Sequence, residues 1–488
     1  MRFLRIGTML IFSIGYFPSI LHAQQVFSKT EFGYKGIFQP YDLPAMLSAG
    51  GRDFIMLRQF NRNTMELCRY DQYLFEVWKK KITFDEGKSV PQIFMKGDSI
   101  MLLSARTTAD TCELEIRIHN SRNGDFLKRL NAEFSRFPLG NLPPDIVLSN
   151  NHSKLMVFNH SSSPDSAMTA FTVINLNGNL ASELITLPEP AINPSTSNAR
   201  ITDKGDIFYA AADNETRRMY TCFRSSRTGE WTIITADFPF DDSDVSEISI
   251  QPLGATSWIV AYSAKSGNRL TGLGALAVNV ILKSVIYNEV IRFTEREVDE
   301  LYSDKVVINS KAEKSAENPY AAMDDFYLTQ TFRTPENSVI AIFEKQEVPT
   351  QFHKGISLAP LSWDFTINED NAVTSGDILI YCLSDLGETL WKKVILKRQE
   401  VYGTNLGLSY ISALYGSNLS LMGHTGRDFF ALTLKTTDGS VTRSLDLLPG
   451  KDYHFTKRYS CWLDGYSVVL CGISPPNDGL RKLMLVEF

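Results

Sequence analysis

A hairpin that recurs along the chain constrains its fold more than any other feature. The clearest copy is Gly376 to Gln399, GDILIYCLSDLGETLWKKVILKRQ. Ile378 to Leu383 is an unbroken apolar run of strand length, as expected of a strand buried on both faces. Asp385-Leu386-Gly387 supplies the turn, because glycine accepts the positive φ that tight hairpins need. Leu390 to Leu396 follows as a second strand, and Lys392, Lys393 and Lys397 mark it as partly exposed. The Trp-Lys-Lys near its start appears again at Trp78-Lys79-Lys80. Looser copies turn at Gly124, Gly178, Gly229 and Gly439. Neighbouring turns lie about 50 residues apart, the length of one four-stranded propeller blade.

A second hairpin, joining the first and second strands of each repeat, counts the blades. It turns at Gly50-Gly51, Gly97, Asn150-Asn151, Gly205, Gly254, Pro335, Gly416 and Gly465. These turns predict an all-β propeller of eight four-stranded antiparallel blades, with seven as the alternative. The last blade has only three strands of its own: Tyr459 to Leu463, Ser467 to Cys471 and Leu483 to Phe488. Thr30 to Phe38 is expected to add the fourth and close the ring, which removes an exposed edge. Helical spacing is weak throughout, and Arg296 to Ser303 is the helix candidate of note.

The first residues read as a leader. Met1-Arg2-Phe3-Leu4-Arg5 precedes a largely apolar run from Ile6 to Ile20 and then Leu21-His22-Ala23. This predicts a secretory signal over 1–23, leaving 24–488 as one propeller domain in the periplasm or outside the cell. The run is interrupted by Gly15 and Pro18 and is too short to span a membrane comfortably. Nothing later is long and apolar enough to cross one. A net charge of −6 argues against nucleic acid as the main partner.

Six cysteines in an exported chain raise the question of disulfides. Cys68, Cys112, Cys222 and Cys382 fall on third strands of different blades, too far apart to pair. Cys461 and Cys471 flank Asp464-Gly465. A two-residue turn there sets Cys461 opposite Val468 and aims Cys471 at the other face, so no bridge is expected.

Gly272-Leu273-Gly274-Ala275-Leu276-Ala277 matches a dinucleotide fingerprint, but a β-branched run follows where a helix is required, so a strand is expected. Ser384 to Trp391 is similar to the Asp-box of sialidase-like propellers, itself a structural turn. Asp241, Asp242, Asp244 and Glu247 form one acidic loop, and Asp364, Asn368, Glu369 and Asp370 another. Neither has the spacing of a calcium loop. The histidines lack zinc spacing, and there is no phosphate-binding loop or nucleophile elbow. No metal and no cofactor is therefore expected.

Two long excursions break the repeat, about 295–318 before blade six and 344–375 within it. Loops between blades and loops from second to third strands emerge on one face, so both should stack there. Five tryptophans fall on expected strands; Trp363 lies in the blade-six insertion instead, with His353, Asp364 and Phe365. Tyr320, Asp324 and Asp325 approach from the other excursion. Together these seven residues form the candidate ligand platform. The plainer alternative is that Trp363 and Phe365 anchor the long loop onto the propeller.

The insertion followed by GDILIYCLSDLGETLWKKVILKRQ resembles functionally uncharacterised secreted β-propeller proteins of the Bacteroidetes type. There an aspartate-led strand, a D/N-x-x-G turn and a W-x-K-x-I-x-K-x-Q strand recur in the same way. The specific match covers about 25 residues and implies no functional residues. The Gly-then-Trp strand is also similar to quinoprotein-like propeller repeats. The expected function is an exported module binding a protein or glycan, as a monomer or a subunit of an envelope assembly. The alternatives are a polysaccharide hydrolase or lyase and a structural subunit of an envelope complex.

Overall fold

The computed structural model describes residues 25–33, 46–59, 64–85, 92–107, 111–135, 145–160, 169–177, 182–188, 194–254, 256–308, 319–321, 323–347, 372–402, 410–424, 428–449, 454–455, 460–473 and 480–487. Eight sheets follow one another around a ring, forming an eight-bladed β-propeller. Blades one to five span 46–83, 92–135, 145–186, 196–237 and 244–292, and blades six and seven span 326–396 and 410–449. Each runs its four strands in chain order, antiparallel, from the hub outwards. Blade eight joins Cys461–Trp462, Ser467–Ile473, Leu480–Glu487 and, outermost, Gln25–Gly33. The ring closes as expected, with the closing strand starting at Gln25 rather than Thr30.

Second and third strands carry neighbours on both faces, so the core lies between blades. Ile207–Asp213, the second strand of blade four, is buried at all seven positions. Ile378 to Leu383 is likewise buried throughout. The first strands meet across the hub through polar groups. Asn198 Nδ2 donates to the Ile248 carbonyl at 2.8 Å, and Gln251 Nε2 donates to Thr331 Oγ1 at 2.7 Å. The Thr329 and Tyr410 hydroxyls lie 2.6 Å apart.

The repeated glycine and tryptophan turn out to be two halves of one joint. Gly439 (φ 67°) carries the turn between third and outer strands of blade seven across Trp391 of blade six. A Cβ there would lie 2.6 Å from the ring atom Cε3. Gly124 of blade two meets Trp78 of blade one at 2.7 Å, and Gly387 of blade six meets Tyr287 of blade five at 2.5 Å. These positions require glycine twice over, for the left-handed backbone and for the close approach. Trp391 Nε1 also donates to the Thr436 carbonyl at 2.7 Å, tying blade six to blade seven.

The dinucleotide-like glycines sit within a strand, Arg269–Asn279. A Cβ on Gly274 would fall 1.9 Å from the Tyr262 ring, which crosses the strand at that point. Packing thus accounts for this glycine.

Three expectations need correction. The outer strand of blade six, Thr389–Leu396, is more buried than its lysines suggest. The helix α1 (Glu295–Ser303) and a strand at Lys305–Val307 cover it, the latter pairing in parallel with Val394 to Leu396. The described part of the first excursion therefore runs along the outer edge of blade six rather than over the face. Acids of α1 and of its C-cap satisfy the lysines: Lys392 Nζ lies 2.8 Å from Glu297, and Lys393 pairs with Asp304. Val298, Leu301 and Tyr302 give α1 its buried stripe, and Thr294 caps its first turn.

The third correction is a register. Trp462 pairs with Val468 and Cys461 with Val469, one residue beyond expectation, because the turn takes three residues and not two. Cys461 and Cys471 consequently share a face. They sit at diagonal positions, and both are free thiols, as are Cys68, Cys222 and Cys382.

Candidate functional site

The face on which blade-to-blade connections and second-to-third-strand loops emerge was the expected site. His353, Trp363, Asp364 and Phe365 lie outside the described residues, as do residues 1–23. Tyr320, Asp324 and Asp325 are described; the first two meet Arg269, and the third meets its neighbour Asn268. Arg269 Nη2 donates to the Tyr320 carbonyl at 2.8 Å while its guanidinium stands 4.0 Å over the Tyr320 ring. Asp324 bridges Arg269 through the backbone. Asp325 adopts φ 60°, donates its N–H to the Asn268 carbonyl at 3.0 Å, and accepts from Gln346 N at 2.9 Å. These contacts fasten the first excursion to the hairpin between second and third strands of blade five.

Buried charged groups lie where the blade-six insertion leaves and rejoins its strands. Lys397 Nζ donates to Glu344 Oε1 at 2.9 Å and to Ser375 Oγ at 2.6 Å, and all three side chains are buried. Ser375 Oγ donates to the same carboxylate at 2.6 Å, and Gln346 Nε2 reaches its other oxygen at 2.9 Å. Nearby, Asp377 accepts from the Tyr302 hydroxyl at 3.1 Å and from the Lys397 backbone N–H at 3.2 Å. Burial pushes the Asp377 carboxyl from 3.8 up to about 6, against the pull of these donors and of the Lys397 and Lys345 charges. Two carboxylates are thus buried close to the two ends of the insertion, and protein donors hold both. Their arrangement ties α1, the outer strand and the base of the insertion together.

The acidic loop of blade five is also paired internally. Asp242 lies 3.2 Å from Arg292, and Asp244 lies 3.4 Å from Arg217. Glu247 binds Lys265 at 2.8 Å; burial pushes that lysine down and Glu247 opposes the shift. Among the described residues no group of histidines, cysteines and acids is arranged to hold a metal ion. No helix there is long and apolar enough to cross a membrane.

The opposite face carries the hairpin turns, and it differs in character. Apart from Val307, every large exposed apolar side chain among the described residues lies at these turns or at the start of an outer strand. Tyr73, Phe75 and Val77 belong to blade one, and Phe126 and Leu127 to blade two. Ile281 and Leu282 belong to blade five, Leu386 and Leu390 to blade six. Phe75 is 69% exposed and Leu282 is 72% exposed. The sequence offered no signal for this, since an apolar residue at an outer strand reads as core.

Between blades seven and eight the same face opens into a groove of about 340 Å³. Tyr415 and Asn418 line it from the first hairpin of blade seven, Thr433, Thr442 and Arg443 from its third and outer strands, and Tyr466 from blade eight. The Arg443 guanidinium stands 4.7 Å over the Tyr466 ring, which is 53% exposed. None of these residues was singled out from the sequence, because three different strand ends bring them together.

No protein-family model matches the chain, and neither does any curated protein. Among solved structures it is similar to the WD40 domain of SCAP from fission yeast, at 8% identity over 94% of this chain and 98% of that one, with a TM-score of 0.41. It is similar to the β-propeller domain of Nup133 from Vanderwaltozyma polyspora at 10% identity over 89% and 100%, with a TM-score of 0.43. The polysaccharide lyase Uly1 matches at 10% identity over 81% of this chain and 89% of that one, with a TM-score of 0.38. Likenesses of this degree concern architecture and carry no argument about ligand or chemistry.

Proposed function

We propose that this chain is an exported propeller, akin to the secreted Bacteroidetes-type propellers, that acts as an interaction module for a macromolecule of the envelope or its surroundings. The observation that carries the reading is the set of exposed apolar side chains along the turn face. Large apolar groups that form one contiguous patch on a stable scaffold mark a surface that another molecule covers. Blades five, six, seven, eight, one and two are consecutive in the ring and all contribute. The buried carboxylates favour binding over hydrolysis, because Glu344 and Asp377 are engaged by Lys397 and Tyr302. A glycosidase needs its two carboxylates open to a sugar.

A second contact surface is the blade-six insertion, with Trp363, Asp364, Phe365 and His353. Glu344 and Ser375, at the two ends of that insertion, are tied together by Lys397.

The test is cross-linking of the mature chain, residues 24–488, in native envelope extract beside two variants. One replaces Phe75, Phe126 and Leu282 with serine, and the other lacks 348–371. Loss of the cross-linked partner with the serine variant, and retention with the deletion, is the expected result. The reverse pattern would move the contact to the insertion. A polysaccharide cleaved by the purified chain would overturn the reading.

A further inference from the structure

We infer that Arg200, at the turn-face mouth of the central channel, holds a small oxyanion, a phosphate or a carboxylate. The site lies at the hub and goes beyond the reading of the exposed apolar side chains as a contact surface. Three observations carry it.

The first is placement. Arg200 stands one residue before the end of the innermost strand of blade four, Thr196–Ile201. Ala199 and Ile201 turn into the core shared with blade three, so Asn198 and Arg200 turn towards blade five. There Asn198 Nδ2 and Arg200 Nε donate to the Ile248 and Ile250 carbonyls, at 2.8 and 3.2 Å. The strand they reach is the inner edge of its sheet, beside the channel. Arg200 is half-buried, and on an innermost strand the water it meets is that of the channel.

The second is a charge without a counter-charge. A guanidinium carries five N–H donors, and Arg200 spends one of them on Ile250. Among the described residues nothing takes the other four. Arg52, Arg58, Arg69, Arg117 and Arg217 each meet a carboxylate instead. Burial pushes the Arg200 guanidinium below its ordinary value, the direction expected of a cation taken from water. The bond from Nε fixes the group and leaves Nη1 and Nη2 side by side, the geometry that takes two oxygens of one anion. The cross-strand neighbour of Arg200 is Phe208, stacked on Trp258 at 4.7 Å, so the wall beside the arginine is set before a ligand arrives.

The third is a second cation on the same strand end. Arg333 closes the innermost strand of blade six and reaches blade five from the other flank. Its Nη2 donates to the Leu253 carbonyl at 3.3 Å and to Asn337 Oδ1 at 2.6 Å. The first hairpins of blades four, five and six, which border the mouth here, are described except for Ala255. Their acids are Asp203, Asp206 and Glu336, and each is engaged elsewhere. Asp203 accepts from Asn151 N at 2.9 Å, Asp206 from Ser226 N at 2.8 Å, and Glu336 from Ser417 Oγ at 2.7 Å. An anion at Arg200 is thus drawn by both arginines.

The experiment is calorimetric titration of the mature chain, residues 24–488, in a chloride buffer, with inorganic phosphate and with succinate. One-to-one binding is expected for at least one probe, and the tighter of the two names the group. Arg200→Gln should lower that affinity at least tenfold, and Arg333→Gln about threefold. Arg227→Gln, at an exposed arginine in the hairpin between third and outer strands of blade four, should change nothing. A second measurement needs no variant, so the test survives if Arg200→Gln does not fold. Phenylglyoxal labelling of the natural chain, mapped by peptide mass, should reach Arg200 and should slow there, but not at Arg227, when the probe is bound. No heat with either probe at millimolar concentration, or undiminished binding by Arg200→Gln, would overturn the assignment. So would an Arg200 that never labels, which is closed to the channel, or one that the probe fails to protect.

Discussion

Blades one and six carry the same Trp-Lys-Lys in their outer strands, and the two copies end in different surroundings. Both tryptophans lie under a glycine of the next blade, Trp78 under Gly124 and Trp391 under Gly439. The lysines part company. In blade one, Lys79 and Lys80 pair with Glu76 and Asp125 near the surface. In blade six, Lys392 and Lys393 lie against Glu297 and Asp304 of the excursion that covers the strand. The tryptophans differ as well: Trp391 Nε1 has the Thr436 carbonyl, while Trp78 Nε1 is buried without a hydrogen-bond partner. The joint between blades is therefore built from local sequence, and the environment of the strand is set by a segment about a hundred residues away in the chain.

Blade six should be the more fragile of the two when a charge is removed. Lys397→Ala leaves Glu344 buried and uncompensated, and a loss of about 3–5 kcal/mol is expected by urea unfolding. Lys80→Ala in blade one, an exposed pair, should cost less than about 1 kcal/mol. Equal effects would break the comparison.

Asp377 gives blade six a pH dependence. Its carboxyl is raised from 3.8 in an unfolded chain to about 6 in the folded one, so the folded state holds the proton more tightly. Stability from this group is fully present below about pH 4 and is lost as pH rises through about 6, a change of about 3 kcal/mol. Denaturation midpoints measured across that window should fall more steeply for the natural chain than for Asp377→Asn. Parallel curves would show that Asp377 ionises freely in the folded protein.

The shared joint can be tested against a turn without one. Gly439→Ala meets both a left-handed backbone and the Trp391 ring, for an expected loss of about 2–3 kcal/mol. Gly416→Ala meets only the backbone cost, about 1–2 kcal/mol, since nothing lies within 4 Å of its Cβ. Matching melting-temperature drops would mean the ring yields to the new methyl group.

The smallest effect separates the two tryptophans. Trp391→Phe removes a hydrogen bond from a buried carbonyl, whereas Trp78→Phe removes a buried donor that has no partner. Trp391→Phe should therefore cost about 1 kcal/mol more than Trp78→Phe.

The sequence by itself determined the architecture. Glycines at fixed offsets, apolar runs of strand length and the Trp-Lys-Lys copies are local signals, and a propeller repeats local structure around a ring. Eight hairpins were countable, and the strand that closes the ring was inferable from an incomplete last blade. What the tertiary structure alone decided are facts about distance. Lys393 reads as exposed until Asp304 is folded onto it, and the Gly465 hairpin slips by one residue because turn length is not written in the two cysteines that flank it. Tyr320 and Asp324 lie far from Arg269 in the sequence, and only the fold sets them against it. Tyr415, Arg443 and Tyr466 are unremarkable apart, and only the approach of blade eight to blade seven makes a groove of them. Periodicity follows from neighbours along the chain, while a site depends on side chains that the closed ring alone brings together.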